Sequence, residues 1–480
     1  MRNRTELRTL PAMTQLASPV SLWLAAALAL ACPLAGCGGA AASSPPAGGA
    51  EPAAVDRVAL AARVRGEIAH AWDGYARHAW GHDELKPLSK TAHDWYGDPL
   101  LMTPVDGLDT LIVAGLTDEA NRARTYIDEH LSFDKDLSVQ VFEITIRLLG
   151  GLLSGYQLTG DAKLLALADD LGHRLLPAFE SKTGMPYRYV NLRTGEKKDP
   201  DSNPAEIGTL MLEFGTLAKL TGKDIYYDKA KAALKALYAR RSKIGLVGEI
   251  INVETGAWIR TDSHVGAYID SYYEYLLKAG RLFGDPDFEA MWKESKAVLD
   301  KYVADETPGG LWYGVVDMET GQKKATATGG LEAFLPATYA LGGDLDRARR
   351  LHDSNFGMWT KAGLVPDGYD YGEAKVTAPS YPLRPEVIES TYYLRRYTQD
   401  PRYLAMGRRF VDDLVTYCRT DDGYASLKNV ETKEKADSMP SFFLAETLKY
   451  LYLIFAPDET IDLDAIVFNT EAHPLRKTWK

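Results

Sequence analysis

From Asp56 onward, apolar residues recur at spacings of three and four, the mark of amphipathic helices. "VFEITIRLLGGLLSGYQL" (Val141 to Leu158) and "KLLALADDLGHRLLPAF" (Lys163 to Phe179) are two such stretches, and "TGD" at Thr159 separates them. Equivalent punctuation recurs as "TGK" at Thr221, "FGD" at Phe283, "GGD" at Gly342 and "TQD" at Thr398, every 56 to 62 residues. Each lies between two helical patterns. A second mark follows each helix pair: "TGMPYRYVNLRTG", "IGLVGEIINVETG", "GGLWYGVVDMETG", "AGLVPDGYDYGEA" and "DGYASLKNVETKE". Glycine, then short alternating apolar runs, then a turn, predicts a β-hairpin or extended loop.

The unit is therefore helix, tight turn, helix, hairpin, with a period near sixty. Such periods mean stacked supersecondary units. With Ala61–Tyr75, Leu108–Leu131 and Ser441–Phe455 added, there is room for about seven pairs. Stacked units can form an open solenoid; long helix pairs and a single globular size favour closure, so the expected fold class is all-α: a closed barrel of seven helical hairpins, with short β-hairpins in the loops. In such a ring the inner helices offer side chains to one central cavity.

The first 55 residues break this pattern. Arg2, Arg4 and Arg8 precede the apolar run "VSLWLAAALALA", which is too short to span a bilayer. "LAGC" (Leu34 to Cys37) then has the form of a lipobox. The expectation is a lipoprotein signal peptide over residues 1–36 and lipidation at Cys37. A flexible Gly/Ser/Pro/Ala linker follows over 37–55, then one barrel domain over 56–480. The chain would be exported, lipid-anchored at the cell envelope and monomeric. Cys32 and Cys37 belong to the leader. That leaves Cys418 as the single cysteine of the fold and no internal disulfide. The net charge of -11 argues against nucleic-acid binding.

Carboxylates embedded in apolar or aromatic surroundings carry the chemical signal. They include "DELKPLS" after His82, Asp106 and Asp109, Glu143 with Arg147, Asp270 with Glu274, and Glu386 and Glu389 beside Arg384. A buried carboxylate is costly unless paired, hydrogen-bonded or functional. Taken singly, each fits a plainer role. Glu143 and Arg147 suit an i,i+4 pair, Asp270 a helix cap, and Glu386 the first helical turn after Pro385. Placed together on one ring, they would converge on an acidic, aromatic-lined cavity, and paired carboxylates suit sugar hydrolysis. No nucleophile elbow, Walker loop, zinc spacing or dinucleotide fingerprint is present. His70, His78 and His82 sit beside aromatic residues, where structural roles are expected.

At these residues the sequence resembles glycoside hydrolase family 47, the class I α-1,2-mannosidases. "FEITIRLLGGLLSGY", "DSYYEYLLK", "LRPEVIESTYY", "SFFLAETLKYLYLIF" and "FNTEAHP" occur in family order across nearly the whole domain. The style is nearer the ER degradation-enhancing mannosidase-like branch. The resemblance implies an (αα)7 barrel, inversion at the anomeric carbon, and one Ca2+. It implies Glu143 as general acid, Glu386 as general base, and Asp270 as a third catalytic acid. Arg147, Arg384, Glu389, Glu446, Glu213 and the aromatic Phe442 would bind substrate. Thr470 would ligate calcium directly, with Glu471 in the shell behind it, on a terminal hairpin that plugs the barrel. Order is expected to end near Leu475.

Three departures accompany the resemblance. Gly329 and Gly330 stand where the classical enzymes carry an Asp-His pair. Tyr268 and Ile269 precede Asp270 where those enzymes have an arginine. Cys418 lacks the disulfide partner that many members have. The expected function is calcium-dependent removal of terminal α-1,2-linked mannose from oligosaccharides or glycoproteins. The alternative is a non-catalytic mannose-binding protein on the same barrel.

Overall fold

The computed structural model describes residues 55–479, so the leader, linker and Cys37 expectations lie outside the described residues. Seven inner helices run Met102–Val113, Gly150–Thr159, Met211–Thr221, Asp270–Phe283, Leu335–Leu341, Glu386–Thr398 and Leu448–Phe455. Six of them are followed by their outer partners Thr117–His130, Ala162–Leu175, Asp224–Tyr238, Pro286–Tyr302, Leu345–Ala362 and Arg402–Tyr417. The seventh outer helix is the first in the chain, Arg57–His78, packed on the last inner helix. The two ends of the repeat thus complete one hairpin. Each inner helix touches the next and the last touches the first, so the (αα)7 ring closes.

The repeated punctuation has a local cause. Gly160, Gly222 and Gly284 take left-handed conformations that end inner helices without a Cβ clash. After Gly160 and Gly284 the aspartate that follows then caps the outer helix. Asp161 accepts from the Lys163 amide at 3.1 Å and Asp285 from the Asp287 amide at 3.1 Å.

All five loop motifs form β-hairpins. In four of them the hairpin gains a third strand, from the segment that enters an inner helix. Ser138–Gln140 joins Tyr189–Asn191, and Asp201–Ser202 joins Ile250–Asn252. These sheets stitch neighbouring units together beside the residues that enter the cavity.

The long helix expected over Val141 to Leu158 differs in detail. Thr145–Leu149 forms a π turn between Val141–Ile144 and Gly150–Thr159, and Phe443–Thr447 does the same before Leu448–Phe455. A π turn shifts the helical register, and such turns gather at functional sites. These two carry Arg147 and Glu446.

The chain stays ordered beyond Leu475, contrary to expectation. Pro474–Arg476 pairs with Ile466–Phe468, and the Trp479 ring stacks on Phe283 at 5.7 Å. The half-buried indole packs on an inner helix and holds the chain end down. Cys418 is a free, buried cysteine, and burial pushes its thiol up to about 12.

Candidate active site

The inner helices and the terminal hairpin surround a cavity of about 300 Å3. Its lining holds Glu143, Arg147, Asp270, Arg384, Glu386, Glu389, Phe442, Glu446, Thr470 and Glu471. The first turns of five inner segments and the terminal hairpin supply most of the carboxylates, so residues more than 300 positions apart meet here.

Arg147 is the hub of one wall. Its guanidinium lies 2.9 Å from Glu143 and 3.7 Å from Asp106, and it donates to Glu471 of the hairpin. The Phe442 ring lies 5.5 Å from it. This planar fork pairs with two cavity carboxylates while its face meets an aromatic. Also lining the cavity, Arg384 stands 3.8 Å from Glu386 and pairs with Asp367. Gly329 and Gly330 make that placement possible. A Cβ on Gly330 would come within 2.9 Å of Arg384 Cδ, and one on Gly329 within 2.0 Å of the Asp367 carbonyl. The two glycines therefore seat the arginine that faces Glu386.

Burial dominates the electrostatics. It raises Glu386 to about 7 despite the nearby Arg384 charge. It also raises Asp270 to about 7, helped by the like charges of Glu332 and Glu274 and opposed by the Ser271 amide at 2.7 Å. Glu389, Glu446 and Glu471 are all raised by burial, and Glu446 further by the carboxylates around it. Glu386 Oε2 is buried without a hydrogen-bond partner among the described residues. Such a group awaits a ligand, a water or a proton.

The hairpin that carries Thr470 is fixed from below. Asn469 donates to the Ile146 carbonyl at 2.9 Å and to Glu213 at 2.8 Å. The Thr470 amide donates to the Tyr275 hydroxyl at 3.2 Å, and Tyr275 donates to Glu213 at 2.6 Å. Gly150 admits this turn, because a Cβ there would strike Asn469 Nδ2 at 2.6 Å. Glu213 is the one expected site residue absent from the lining. It is fully buried behind the floor, where it braces Asn469 and Tyr275 rather than forming wall. Its own helix face turns toward the hairpin, and the sequence pattern does not distinguish that from the cavity.

Other early candidates are structural. Asp83 accepts from the amides of Leu100, Trp95 and Met102 at 2.7, 3.1 and 3.2 Å. Asp106 and Asp109 hold the terminal hairpin. His70, His78 and His82 meet the Thr420 carbonyl, Asp422 and Asp94. Among the described residues, no cluster of three His, Cys, Asp or Glu forms a metal site.

Sequence reasoning missed Glu206 and Glu332. Glu206 lines the cavity and takes a two-pronged contact from Arg188 at 2.8 and 2.9 Å. Glu332 lies beside Asp270, and its carboxylate occupies space that a Cβ on Gly266 would enter at 2.1 Å. Glutamates inside "NPAEIG" and "GGLEAF" were the available signal.

The model of glycosyl hydrolase family 47 matches residues 67–477. An α-mannosidase I of Arabidopsis thaliana, MNS4, is 41% identical over 435 residues, covering 86% of this chain and 69% of that protein. The ER degradation-enhancing α-mannosidase-like protein 2 of Mus musculus is 38% identical, covering 86% of this chain and 77% of its own. The solved α-1,2-mannosidase from Trichoderma reesei superposes with a TM-score of 0.82 at 28% identity. That alignment covers 87% of this chain and 99% of the other.

Proposed function

The chain belongs to glycosyl hydrolase family 47, and from that premise we propose that it removes terminal α-1,2-linked mannose by calcium-dependent, inverting hydrolysis. The observation that carries the reading is the carboxylate-lined cavity, to which the hairpin of Thr470 contributes and which holds the unpartnered Glu386 Oε2.

Inversion needs a base and an acid on opposite faces of the sugar. Glu386 takes a proton from water as the water oxygen attacks the anomeric carbon. The bond to the leaving oxygen breaks, and that oxygen takes the proton of Glu143, with Asp270 as the third carboxyl of the site. Arg384, 3.8 Å from Glu386, favours the ionised form that a base needs and so opposes the burial that raises it. Arg147 and Arg384 hold the carboxylates in place, and Phe442 offers an apolar face to the ring.

A hard cation fits the floor. Five carboxyls, Glu274, Glu386, Glu389, Glu446 and Glu471, meet only three cationic side chains, Arg147, Arg384 and Lys278, and a bound cation would favour the ionised forms that burial disfavours. All-oxygen donors of this kind suit Ca2+. Thr470 would hold it through its hydroxyl and carbonyl, with Glu471 supporting bound water. When bound, calcium offsets the acidic floor and grips sugar hydroxyls.

We further propose export and lipid anchoring through Cys37, supported by the "LAGC" motif after a basic and apolar leader. Cys37→Ala should move the protein from the membrane fraction to the soluble one. For the activity, the test is digestion of a high-mannose glycan with EDTA and with calcium restored. Mannose release that needs calcium supports the reading. Sugar binding without release supports the lectin-like alternative.

A further inference from the structure

A second cavity, of about 500 Å3, lies between the outer helix Leu345–Ala362 and the hairpin formed by Ala304–Thr307 and Gly310–Tyr313. Small-molecule sites span about 300–1,000 Å3. None of its lining residues belongs to the carboxylate cavity.

Two of those residues break local rules. Gly357 sits inside an 18-residue helix, and glycine in a helix interior costs about 1 kcal/mol relative to alanine. No heavy atom lies within 4 Å of the place its Cβ would take, so packing does not require the glycine. Its missing side chain leaves open space in the cavity wall. Trp312 is 6% exposed, and its Nε1 is buried without a hydrogen-bond partner among the described residues. An indole N–H can only donate, and a buried donor without an acceptor is costly. The ring is held in place, stacked nearly parallel on Tyr371 at 5.2 Å.

Gly310 brings the two walls together. Its φ is 127°, and a Cβ there would strike the Ser354 hydroxyl and stand 3.9 Å from Trp312 Nε1. Bare backbone thus leaves the indole N–H and the serine hydroxyl beside one gap. The charges of the lining are paired: Arg350 with Glu306, and Asp353 with Arg402 at 3.2 Å. Such a cavity does not select an ion. Tyr369 and Met358 add apolar surface. These groups suit a neutral ligand that offers hydroxyl oxygens on one side and C–H groups on another, as a hexose does.

We propose that this cavity binds a neutral hexose residue of the glycan, apart from the catalytic cavity. The choice of mannose rests on the mannosidase reading; the site itself does not. The hairpin lies where an outer helix hands over to an inner one, the end of the ring whose first helical turns carry the carboxylates. Tyr369 follows by two residues Asp367, the partner of Arg384. A branched glycan held here keeps its other ends near the catalytic cavity. The site therefore raises affinity for branched chains and leaves that for disaccharides unchanged.

The test reads the Trp312 indole N–H by heteronuclear NMR, with Trp312→Phe to assign it. Methyl α-mannoside is titrated into the protein in calcium and in EDTA. The Trp312 signal should shift saturably in both, with roughly millimolar affinity. Gly357→Leu puts a side chain into the cavity wall and a better helix former into the helix. It should abolish the shift and melt no lower than wild type. It should also raise KM for a branched high-mannose glycan about threefold and leave α-1,2-mannobiose turnover unchanged. A Trp312 signal that the sugar does not move, or moves equally in Gly357→Leu, overturns the proposal. So does a shift with sulfate and none with sugar. An unchanged glycan KM in Gly357→Leu overturns the role in holding substrate. If the wild-type chain hydrolyses neither substrate, the mannosidase reading fails, while the indole titration still decides on this site.

Discussion

His473 Nδ1 lies 2.7 Å from Asp109 Oδ2, with both side chains fully buried. Nε2 of the same ring lies 3.2 Å from Asp106. Burial alone would pull the imidazole down, but the two carboxylates hold it up to about 9. Lys449 completes the group, 2.6 Å from Asp109 and 2.6 Å from the Ala472 carbonyl. A residue close to the chain terminus is thus clamped between two aspartates of the first inner helix.

That clamp should dominate the stability of the terminal hairpin. His473→Leu leaves two buried carboxylates short of a partner, and breaking a buried pair costs about 3–5 kcal/mol. Chemical denaturation should show a midpoint well below wild type. A shift of under about 0.5 kcal/mol would mean the network is not ionised as described.

Removing the hairpin should remove metal and activity together. A chain ending at Phe468 lacks Thr470, and with it Asn469 and His473, which hold the turn. Calcium titration and mannose release should both fail while the helical circular dichroism signal largely persists. Calcium-dependent hydrolysis by that truncation would show that Thr470 is not the ligand.

Glu386→Gln should separate binding from turnover. Loss of a general base costs roughly 10²–10⁴-fold in rate. The amide keeps the shape beside Arg384, so sugar affinity should change little. An active Glu386→Gln protein would move the base elsewhere.

The fold was legible because its signals are local and repeated. Gly-Asp punctuation such as Gly160-Asp161 ends one helix and caps the next, and five glycine-led hairpin motifs recur with it. Ring closure was less direct, since it pairs the first helix with the last. Site residues were legible where a carboxylate interrupts an apolar run, as at Glu143 and Asp270. Glu213 has the same local signature but faces the hairpin, because a π turn nearby and the depth of Asn469 are tertiary facts.

Burial of acids sets a pH dependence of stability. Asp270, Glu386 and Glu213 are each raised to about 7, above their unfolded values. A raised carboxylate stabilises the fold below its unfolded pKa, and that contribution is lost as pH rises through the folded pKa. In EDTA the melting temperature should therefore fall between pH 5 and 8. Calcium should flatten that slope by offsetting the charge. A melting temperature in EDTA that rises over the same range would contradict the raised values.

The most direct measurement follows α-1,2-mannobiose by proton NMR with wild-type protein in calcium. Hydrolysis should release the non-reducing mannose first as the β anomer, before mutarotation, and EDTA should stop it. Release of the α anomer first, or no turnover by calcium-loaded protein that still binds the disaccharide, would contradict the inverting mannosidase.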